Sequence, residues 1–450
     1  MVSMRLLPEH YIRLKAQLTS DNSVEQGCFA LSHHVNLGND TLLLITDIIP
    51  LTSDDFALQK DDFLSVKPEV MLRIARIAQK AGKAVCMIHT HPYTIGQVRF
   101  SRADDIGNER TFDFFNRMLQ GKLNSCLVFS GDMHSFEGRV YPIQQAWRPI
   151  ETLTVVGTPH FRLVDQSISE SFDRQARLLG RKGQGILGQL SVGIIGAGGI
   201  GSNIAAILAQ SGIGKLVLVD HDVIETSNLP RIIGATPRDA QENHHKVNVV
   251  ARYVNAVTPG CKVETYPCRV QDVGMALATV DVLICATDDA QSRAFLNKHC
   301  WQYYIPLMDL GVQFVADETS GELINEIGKV NWIVPGTTCL WCTGHVSSEL
   351  LRRETLSPEA AAQEAKAGYI RNMDIPEPSM MAYNMQIAAR GAQTLIGNMT
   401  GLAPSTPDVM ENFYFLGLNG RKHHQLVRKR QEEGCWLCNS QSPYLGAGMM

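Results

Sequence analysis

The chain has 450 residues, with 41 Lys and Arg against 45 Asp and Glu, which gives a formal net charge of −4. This near balance provides no overall attraction to nucleic acid or anionic membranes, and no apolar run is long enough to span a bilayer. The eleven cysteines are an odd number and several stand singly in apolar runs, which is typical of a reducing cytoplasm. We therefore expect a cytoplasmic protein of two or three domains, with neither nucleic acid nor membrane as a partner.

The hydrophobic pattern predicts an α/β protein. Residues 1–150 are expected to form a first domain, with strands over 25–31, 41–49, 84–88 and 125–130 and helices over 67–81 and 105–119. Residues 151–167 predict a linker. Residues 168–439 show the strand–helix alternation of a mostly parallel sheet, and the small or polar residues 440–450 predict a flexible tail.

A possible metal site follows the predicted strand 84–88. His89 and His91 are two residues apart on an extended segment, so their side chains should point to the same side. Asp104, at a predicted helix start, could complete a three-ligand zinc site with one open position for water. Glu25 is the candidate general base, and the hydroxyl of Ser101 is the candidate group for stabilising a developing oxyanion.

An upstream Glu, a His-x-His and a Ser-x-x-Asp together resemble the JAMM (JAB/MPN/Mov34) metalloproteases, which cleave peptide or isopeptide bonds after the C-terminal glycines of ubiquitin-like proteins. The resemblance implies a catalytic zinc on His89, His91 and Asp104. Nine residues separate His91 from Ser101, where the family usually has seven, which raises the question of whether Asp104 reaches the histidines. Two alternatives remain: the histidines are hydrogen bonded in a core, or the domain is a metal-free docking module.

The second domain contains a nucleotide-binding β-α-β pattern. An apolar strand over 191–195 leads into a G-x-G-x-x-G turn, a helix over 202–210 follows, and a strand over 215–219 ends at Asp220. The glycines lie between a predicted strand and a predicted helix, as a phosphate-binding role requires. Those glycines are Gly196, Gly198, Gly199 and Gly201.

Charged and amide side chains after the turn favour a triphosphate over a nicotinamide dinucleotide. Asn228 and Arg231 could reach phosphate oxygens, and Asp222, close by in sequence, is a further candidate contact for the nucleotide. Lys246 begins another predicted helix and offers a second cation. Asp288 follows an apolar strand, where a carboxylate is a natural Mg²⁺ ligand.

Residues 172–345 resemble the ubiquitin-activating-type adenylyltransferases, the ThiF, MoeB and HesA group, with a Rossmann-like fold. The resemblance implies that ATP and Mg²⁺ are contacted by Asp220, Asn228, Arg231, Lys246 and Asp288. It further implies that Arg174 reaches the ATP of a partner subunit in a homodimer, although a surface ion pair is the alternative for this residue. In that group the C-terminal glycine of a small protein is adenylated.

Two C-x-x-C motifs predict a closed, structural zinc site with four thiolate ligands, Cys339, Cys342, Cys435 and Cys438. A redox role for either motif is the alternative. The same adenylyltransferases often have these four cysteines, and many then form a thioester on a cysteine in the following loop. No cysteine occurs from Thr343 to Gly434, so we expect adenylation without a thioester on that loop.

The sequence therefore predicts a fusion of two enzymes in a bacterial ubiquitin-like conjugation or processing pathway. One part would adenylate a ubiquitin-like protein, and the other would hydrolyse a peptide or isopeptide bond to such a protein, with an E2-like conjugating protein as a possible partner. Activation and processing of a sulfur carrier, for cofactor or cysteine synthesis, is the alternative within the same chemistry. A third hypothesis, an NAD-dependent oxidoreductase, predicts nicotinamide binding instead.

Overall fold

The chain forms two compact units. The first comprises Met1–Leu163, Gln302–Tyr304 and Pro443–Met450, and the second comprises Val164–Trp301 and Ile305–Ser442. No helix in the part of the chain described below is both long and apolar enough to cross a membrane. The computed structural model describes residues 1–142, 146–157, 169–316, 323–357, 359–360, 379–402, 409–416, 423–428, 431–432, 434–439 and 441–448.

The first unit contains ten strands and three helices among its described residues. The strands are β1 (Val2–Leu6), β2 (Gly27–Leu37), β3 (Asp40–Pro50), β4 (Phe56–Gln59), β5 (Leu64–Val66), β6 (Ala84–His91), β7 (Asn124–Ser130), β8 (Phe136–Tyr141), β9 (Arg148–Pro149) and β10 (Thr152–Val155). The helices are α1 (Pro8–Leu18), α2 (Pro68–Ala81) and α3 (Arg102–Met118).

Eight of these strands form one mixed sheet in the order β10-β1-β3-β2-β6-β7-β8-β9, and β4 pairs with β5 separately. Each face of the large sheet has its own apolar core. Leu14 and Leu18 of α1 pack in one core, whereas Ile74 of α2 and Phe112 of α3 pack in the other. The first unit is therefore a sheet between two helical layers.

Strand β6 is longer than the sequence predicted. It runs to His91, in register with Ser130 of β7, so both histidines lie on the strand rather than just past it. The prediction that the strand ends at residue 88 was wrong because the parallel pairing with β7 continues through the polar residues. His89 and His91 nevertheless share one side of the strand, as their spacing predicted.

The described residues of the second unit form eight strands and eight helices. The strands are β11 (Ser191–Ile195), β12 (Lys215–Val219), β13 (Lys262–Tyr266), β14 (Val282–Cys285), β15 (Leu307–Ala316), β16 (Leu323–Ile333), β17 (Val409–Leu416) and β18 (His423–Arg428). The helices are α4 (Asp173–Gln189), α5 (Gly199–Gln210), α6 (Pro237–Gln241), α7 (Lys246–Val257), α8 (Gly274–Leu277), α9 (Ala290–Tyr303), α10 (Ser348–Glu354) and α11 (Met381–Thr400).

The second sheet has the order β13-β12-β11-β14-β15-β16-β17-β18. Its first five strands are parallel, in the 3-2-1-4-5 order of a Rossmann-like sheet. The last three strands add antiparallel pairs, which the prediction of a mostly parallel sheet did not include. The strand order reverses between β11 and β14, and this switch point is where ligands bind in such sheets.

The glycine turn after β11 is defined by very close backbone packing. Gly196 has a φ of +92°, in the left-handed region that favours glycine. A Cβ placed on Gly201 would lie 1.7 Å from the carbonyl oxygen of Gly196. The first turn of α5 can therefore approach the end of β11 only because Gly201 has no side chain.

Gly201→Ala is expected to lower the free energy of unfolding of the nucleotide-free protein by about 1–3 kcal/mol or more, because the new methyl group must displace backbone atoms. Gly198→Ala is the matched control, since Gly198 has a φ of −77° and its added Cβ would meet nothing within 4 Å. Urea unfolding followed by circular dichroism measures both variants. Equal midpoints for the two would contradict the packing described for this turn.

Candidate functional sites

The predicted metal ligands of the first unit lie together. The Nε2 atom of His89 is 3.1 Å from Oδ1 of Asp104, and the Nε2 atom of His91 is 3.1 Å from Oδ2 of the same carboxylate. One ligand atom from each of the three residues lies within 4.8 Å of the others. Glu25 is adjacent, with Oε1 3.5 Å from Nε2 of His91. The three donors fit a divalent metal with the Glu25 carboxyl beside it.

The ring of His89 is the strongest sign that this cluster is not an ordinary core contact. His89 is buried, and neither ring nitrogen has a hydrogen-bond partner among the described residues. Its 3.1 Å approach to Asp104 lacks hydrogen-bond geometry. Buried polar atoms are normally satisfied, so the Nε2 atom, which faces Asp104, suits a metal ligand better than a structural role.

Burial and charge shift the titration of this cluster. Burial raises the pKa of Glu25 to about 8, with Asp104 contributing and His91 opposing. Burial also opposes ionisation of Asp104, but the close approach of both histidines outweighs it and holds the pKa of Asp104 well below its usual range. Burial lowers the pKa of His91, but the hydrogen bond and charge of Asp104 outweigh it, so the net shift is upward.

The longer loop between His91 and Ser101 does not separate Asp104 from the histidines. Ser101 is the N-cap of α3: its Oγ accepts from the backbone N–H of Asp104 at 3.1 Å. The backbone N–H of Ser101 donates in return to Oδ2 of Asp104 at 2.7 Å. This capping box fixes the Asp104 carboxylate while leaving the Ser101 hydroxyl hydrogen available to donate.

In the second unit, the glycine turn and Asp220 meet at the carboxyl edge of the sheet. The backbone N–H of Ala197 donates to Oδ2 of Asp220 at 2.7 Å, and that of Asp222 donates to Oδ1 at 2.9 Å. Burial raises the pKa of Asp220, although both hydrogen bonds and the charge of Lys246 oppose the shift. Asp220 thus anchors the turn at the carboxyl edge of the sheet.

Asn228 and Arg231 lie on the segment that follows β12. Asn228 is buried and its Oδ1 accepts from the backbone N–H of Glu225 at 3.2 Å. Arg231 donates to the carbonyl of Ser227 at 2.8 Å. Its Cδ lies 3.6 Å from the position that a Cβ on Gly199 would occupy, so this arginine reaches the glycine turn.

Lys246 is the first residue of α7, as predicted, and the structure pairs it with Asp222. Its Nζ lies 2.7 Å from Oδ2 of Asp222, and 14 % of its side chain is exposed. Burial opposes the effect of this ion pair, but the pair dominates and lowers the pKa of Asp222. The ion pair therefore holds the Lys246 side chain beside Asp222, two residues from Asp220.

Asp288 is exposed on the segment between β14 and α9, on the other side of the switch point. The sequence analysis missed the residues that hold this segment. Arg293 donates from its two terminal nitrogens to the backbone carbonyls of Thr287, at 2.6 Å, and Asp288, at 3.0 Å. Its Nε lies 3.1 Å from Oδ1 of the buried Asp309. The sequence signal for this contact is an arginine one turn into the helix that follows the strand-end Asp288.

Asn384 is a second residue that the sequence analysis missed. It is buried in the first turn of α11, and its amide nitrogen lies 2.2 Å from the position of a Cβ on Gly199. It also donates to the hydroxyl of Ser379 at 3.0 Å. No local pattern distinguishes Asn384, because it and the glycine turn that it contacts are nearly 190 residues apart in sequence.

The four cysteines of the two C-x-x-C motifs lie close together. Sγ–Sγ distances are 3.8 Å for Cys339–Cys342, 3.7 Å for Cys339–Cys435 and 3.5 Å for Cys342–Cys438. A tetrahedron with Zn–S bonds of about 2.3 Å has edges of about 3.8 Å. The thiols thus have the spacing of a closed, structural zinc site, and they are too far apart for disulfides.

Arg174 is separate from the residues described so far. It is exposed in the first turn of α4, where its neighbour Arg177 pairs with Asp173 at 2.6 Å. Its predicted contact with a partner subunit stays a prediction.

A comparison with known protein families matches residues 172–437 to the ThiF family. This segment is more than half of the chain, and it contains the glycine turn, Asp288 and three of the four C-x-x-C cysteines, Cys339, Cys342 and Cys435, while Cys438 lies one residue beyond it. The chain belongs to the ThiF family. Residues 1–171, including the histidine cluster, lie outside the match.

Curated relatives match over part of the chain. The SAMP-activating enzyme E1 of Haloferax volcanii is 32% identical over 166 residues, 36% of this chain and 57% of that protein. Ubiquitin-like modifier-activating enzyme 5 of Dictyostelium discoideum is 27% identical, over 42% of this chain and 52% of that protein. The probable molybdopterin-synthase adenylyltransferase of Porphyra purpurea is 35% identical, over 26% and 31% respectively. The chain thus spans about half or less of these relatives.

Among solved structures, Escherichia coli MccB in complex with MccA-N7isoASN has a TM-score of 0.48 at 19% identity, covering 60% of this chain and 76% of that one. The Microcin C7 biosynthetic enzyme MccB in complex with N-formylated MccA has a TM-score of 0.49 at 16% identity, covering 92% and 100%.

Glu25 gives the metal-free protein a pH-dependent stability. A carboxyl whose pKa is higher in the folded than in the unfolded chain contributes stability below about pH 4.5, and this contribution is lost as the pH rises through about 8. Glu25→Gln should therefore make the thermal midpoint of chelator-treated protein fall less between those two pH values. Glu69→Gln, at an exposed site on α2, is the control and should retain the wild-type slope. Identical slopes for wild type and Glu25→Gln would show that the carboxyl is not shifted.

Proposed function

We propose that the second unit adenylates the C-terminal glycine of a ubiquitin-like or sulfur-carrier protein, using ATP. The observation that supports this most directly is that the glycine turn of a ThiF-family chain lies against Arg231 and against the Ala286–Thr287 backbone, which directly precedes Asp288. The relatives include activating enzymes for SAMP and for a ubiquitin-like modifier and a probable molybdopterin-synthase adenylyltransferase. They favour ATP over a nicotinamide dinucleotide.

The proposed reaction is attack of the substrate carboxylate on the α-phosphorus of ATP, which forms the acyl-adenylate and releases pyrophosphate. Arg231 and Lys246 are the cations for the phosphate oxygens, and Asp220 is the acceptor for the ribose hydroxyls. Asp288 would hold Mg²⁺, which supplies charge neutralisation of the triphosphate when bound. Positioning and charge neutralisation suffice for this step, so no protein nucleophile is required.

Both cations must change partners for this to occur. Lys246 pairs with Asp222, and Arg231 donates to the carbonyl of Ser227. A triphosphate offers each of them a stronger, charged acceptor. The short local contacts hold both side chains close to the turn before ATP arrives.

We propose that the acyl-adenylate passes directly to its acceptor, since no cysteine lies between Thr343 and Gly434. Homodimerisation, with Arg174 reaching the partner's nucleotide, and transfer to an E2-like protein belong to the same proposal. A sulfur carrier for cofactor or cysteine synthesis uses the same adenylation, so the identity of the acceptor distinguishes the two pathways.

We further propose that the first unit is a zinc-dependent hydrolase of the JAMM type, acting on a peptide or isopeptide bond after such a glycine. His89, His91 and Asp104 would hold the metal, which supplies an activated water and polarises the scissile carbonyl when bound. The Glu25 carboxyl lies beside the proposed ligands, with Oε1 3.5 Å from Nε2 of His91, so it is placed to take up and return a proton there. The Ser101 hydroxyl can donate to a developing oxyanion. The unsatisfied Nε2 of His89, which faces Asp104, favours this over a metal-free docking module.

The adenylation proposal is tested by ATP–pyrophosphate exchange with a panel of ubiquitin-like and sulfur-carrier proteins ending in Gly-Gly. Asp288→Asn should reduce exchange on the order of 100-fold or more, because Mg²⁺ loses its charged ligand. Asp289→Asn is the matched control: Asp289 Oδ1 accepts from the N–H of Ser292 at 2.6 Å, and Asn retains that cap. Exchange that survives in Asp288→Asn would refute the assignment of this carboxylate.

The hydrolase proposal is tested by zinc analysis together with cleavage of carrier fusions that have a residue after the terminal glycine. Wild type should bind two zinc ions per chain. His89→Ala should bind one and lose cleavage, whereas Glu25→Gln should keep two and still lose cleavage. His134→Ala, an exposed histidine of the same unit, should match wild type in both. A single zinc per wild-type chain would exclude the metal site.

A further inference from the structure

The nine-residue loop between His91 and Ser101 is fixed to the hairpin that joins β7 and β8. The backbone N–H of Val98 donates to Oγ of Ser135 at 3.0 Å, and that of Phe100 donates to Oε2 of Glu137 at 2.8 Å. At the other end of the loop, the N–H of Gly131 donates to the carbonyl of Thr94 at 3.0 Å. The loop is thus held by side chains and backbone of the hairpin at three points.

Arg139 of β8 lies at the centre of this arrangement, and only 8 % of it is exposed. Its guanidinium hydrogen bonds to Oε1 of Glu137 through two nitrogens, at 3.1 and 3.3 Å, and a third nitrogen contacts Oδ1 of Asp105. It also stacks over the Phe100 ring, 4.3 Å from the centroid, and over the Trp147 ring, at 4.2 Å. One side chain therefore ties the end of the loop to the start of α3.

Two of the residues that Arg139 contacts, Asp105 and Phe100, adjoin the histidine cluster. Asp105 is the chain neighbour of Asp104, whose carboxylate faces both histidines. The ring of Phe100 lies between Arg139 and the cluster, with its centroid 6.0 Å from that of His89. The guanidinium thus supports a ligand-bearing helix start and a ring that packs against another ligand.

We infer that Arg139, positioned by Glu137, is a positioning residue for the metal site, and that it allows this longer loop to place Asp104 against His89 and His91. The inference rests on the proposed metal site of the first unit. Arg139 touches none of the metal donors, so it acts through Asp105 and Phe100. Groups that orient metal ligands in this way typically contribute 10–100-fold to metal affinity.

The test is competitive titration of chelator-treated full-length protein with zinc and a chromophoric chelator. Arg139→Lys keeps the charge but loses the planar fork and the stacking, so it should weaken zinc binding at the histidine site by roughly 10–100-fold. The second zinc, at the four cysteines of the second unit, should bind as in wild type, and a circular dichroism spectrum like that of wild type reports that the first unit is folded. Arg117→Lys is the matched control, an exposed arginine of α3 paired with Asp113.

A second variant keeps the inference testable if Arg139→Lys does not fold. Glu137→Gln retains an acceptor but loses the charge, and it should weaken the same site by a smaller factor, together with a changed visible spectrum of the Co²⁺-substituted protein. Zinc affinity at the histidine site within twofold of wild type in the folded variants overturns the inference alone. A wild-type chain that binds only one zinc removes the proposed metal site itself, and the inference with it.

Discussion

The close approach of two glycines is the constraint on which the nucleotide site depends. The carbonyl oxygen of Gly196 occupies the space where any side chain at Gly201 would begin, so α5 starts directly beneath the end of β11. That proximity aims the first N–H groups of α5 at the crevice where the strand order reverses. Asp220, Arg231 and Lys246 then approach the same crevice from β12, the segment after it and α7.

The two units position their functional groups in different ways. The proposed nucleotide site depends on backbone geometry at strand ends. Its charged side chains have local partners, such as Asp222 for Lys246. The histidine cluster relies on a strand and a helix cap: β6 aligns His89 and His91, and the capping box of Ser101 presents Asp104. In the first unit the proposed metal ligands already lie together, whereas in the second unit Arg231 and Lys246 must leave their local partners to reach a triphosphate.

Local patterns in the sequence predicted much of this. The glycine turn, Lys246 at the start of α7, the His-x-His and the Ser-x-x-Asp depend on spacings of two to four residues, which fix backbone geometry directly. The two C-x-x-C pairs were also recognisable, because each supplies half of a tetrahedral site. The ThiF-family match supports the interpretation of residues 172–437 as an adenylyltransferase domain. The interpretation of the first unit depends on its geometry alone.

The contacts that hold these groups in place could not be predicted, since they join residues remote in sequence. Asn384 contacts the glycine turn from α11, Asp309 holds Arg293 from β15, and Arg139 supports the loop before α3. The antiparallel strands β16–β18 also depend on pairing that no local period reveals. Residues 443–448 group with the first unit, where Gly448 donates to the carbonyl of Gln302 at 3.0 Å, a long-range contact that composition alone did not indicate.

The most direct test of the central claim is isothermal titration of the protein with ATP and with NAD, each in the presence and absence of Mg²⁺. Mg²⁺-dependent ATP binding that is lost in Asp288→Asn, with no binding of NAD, is the expected result. Binding of NAD with no binding of ATP would contradict it, because the glycine turn would then serve a dinucleotide and the cations at its edge would have no triphosphate to hold.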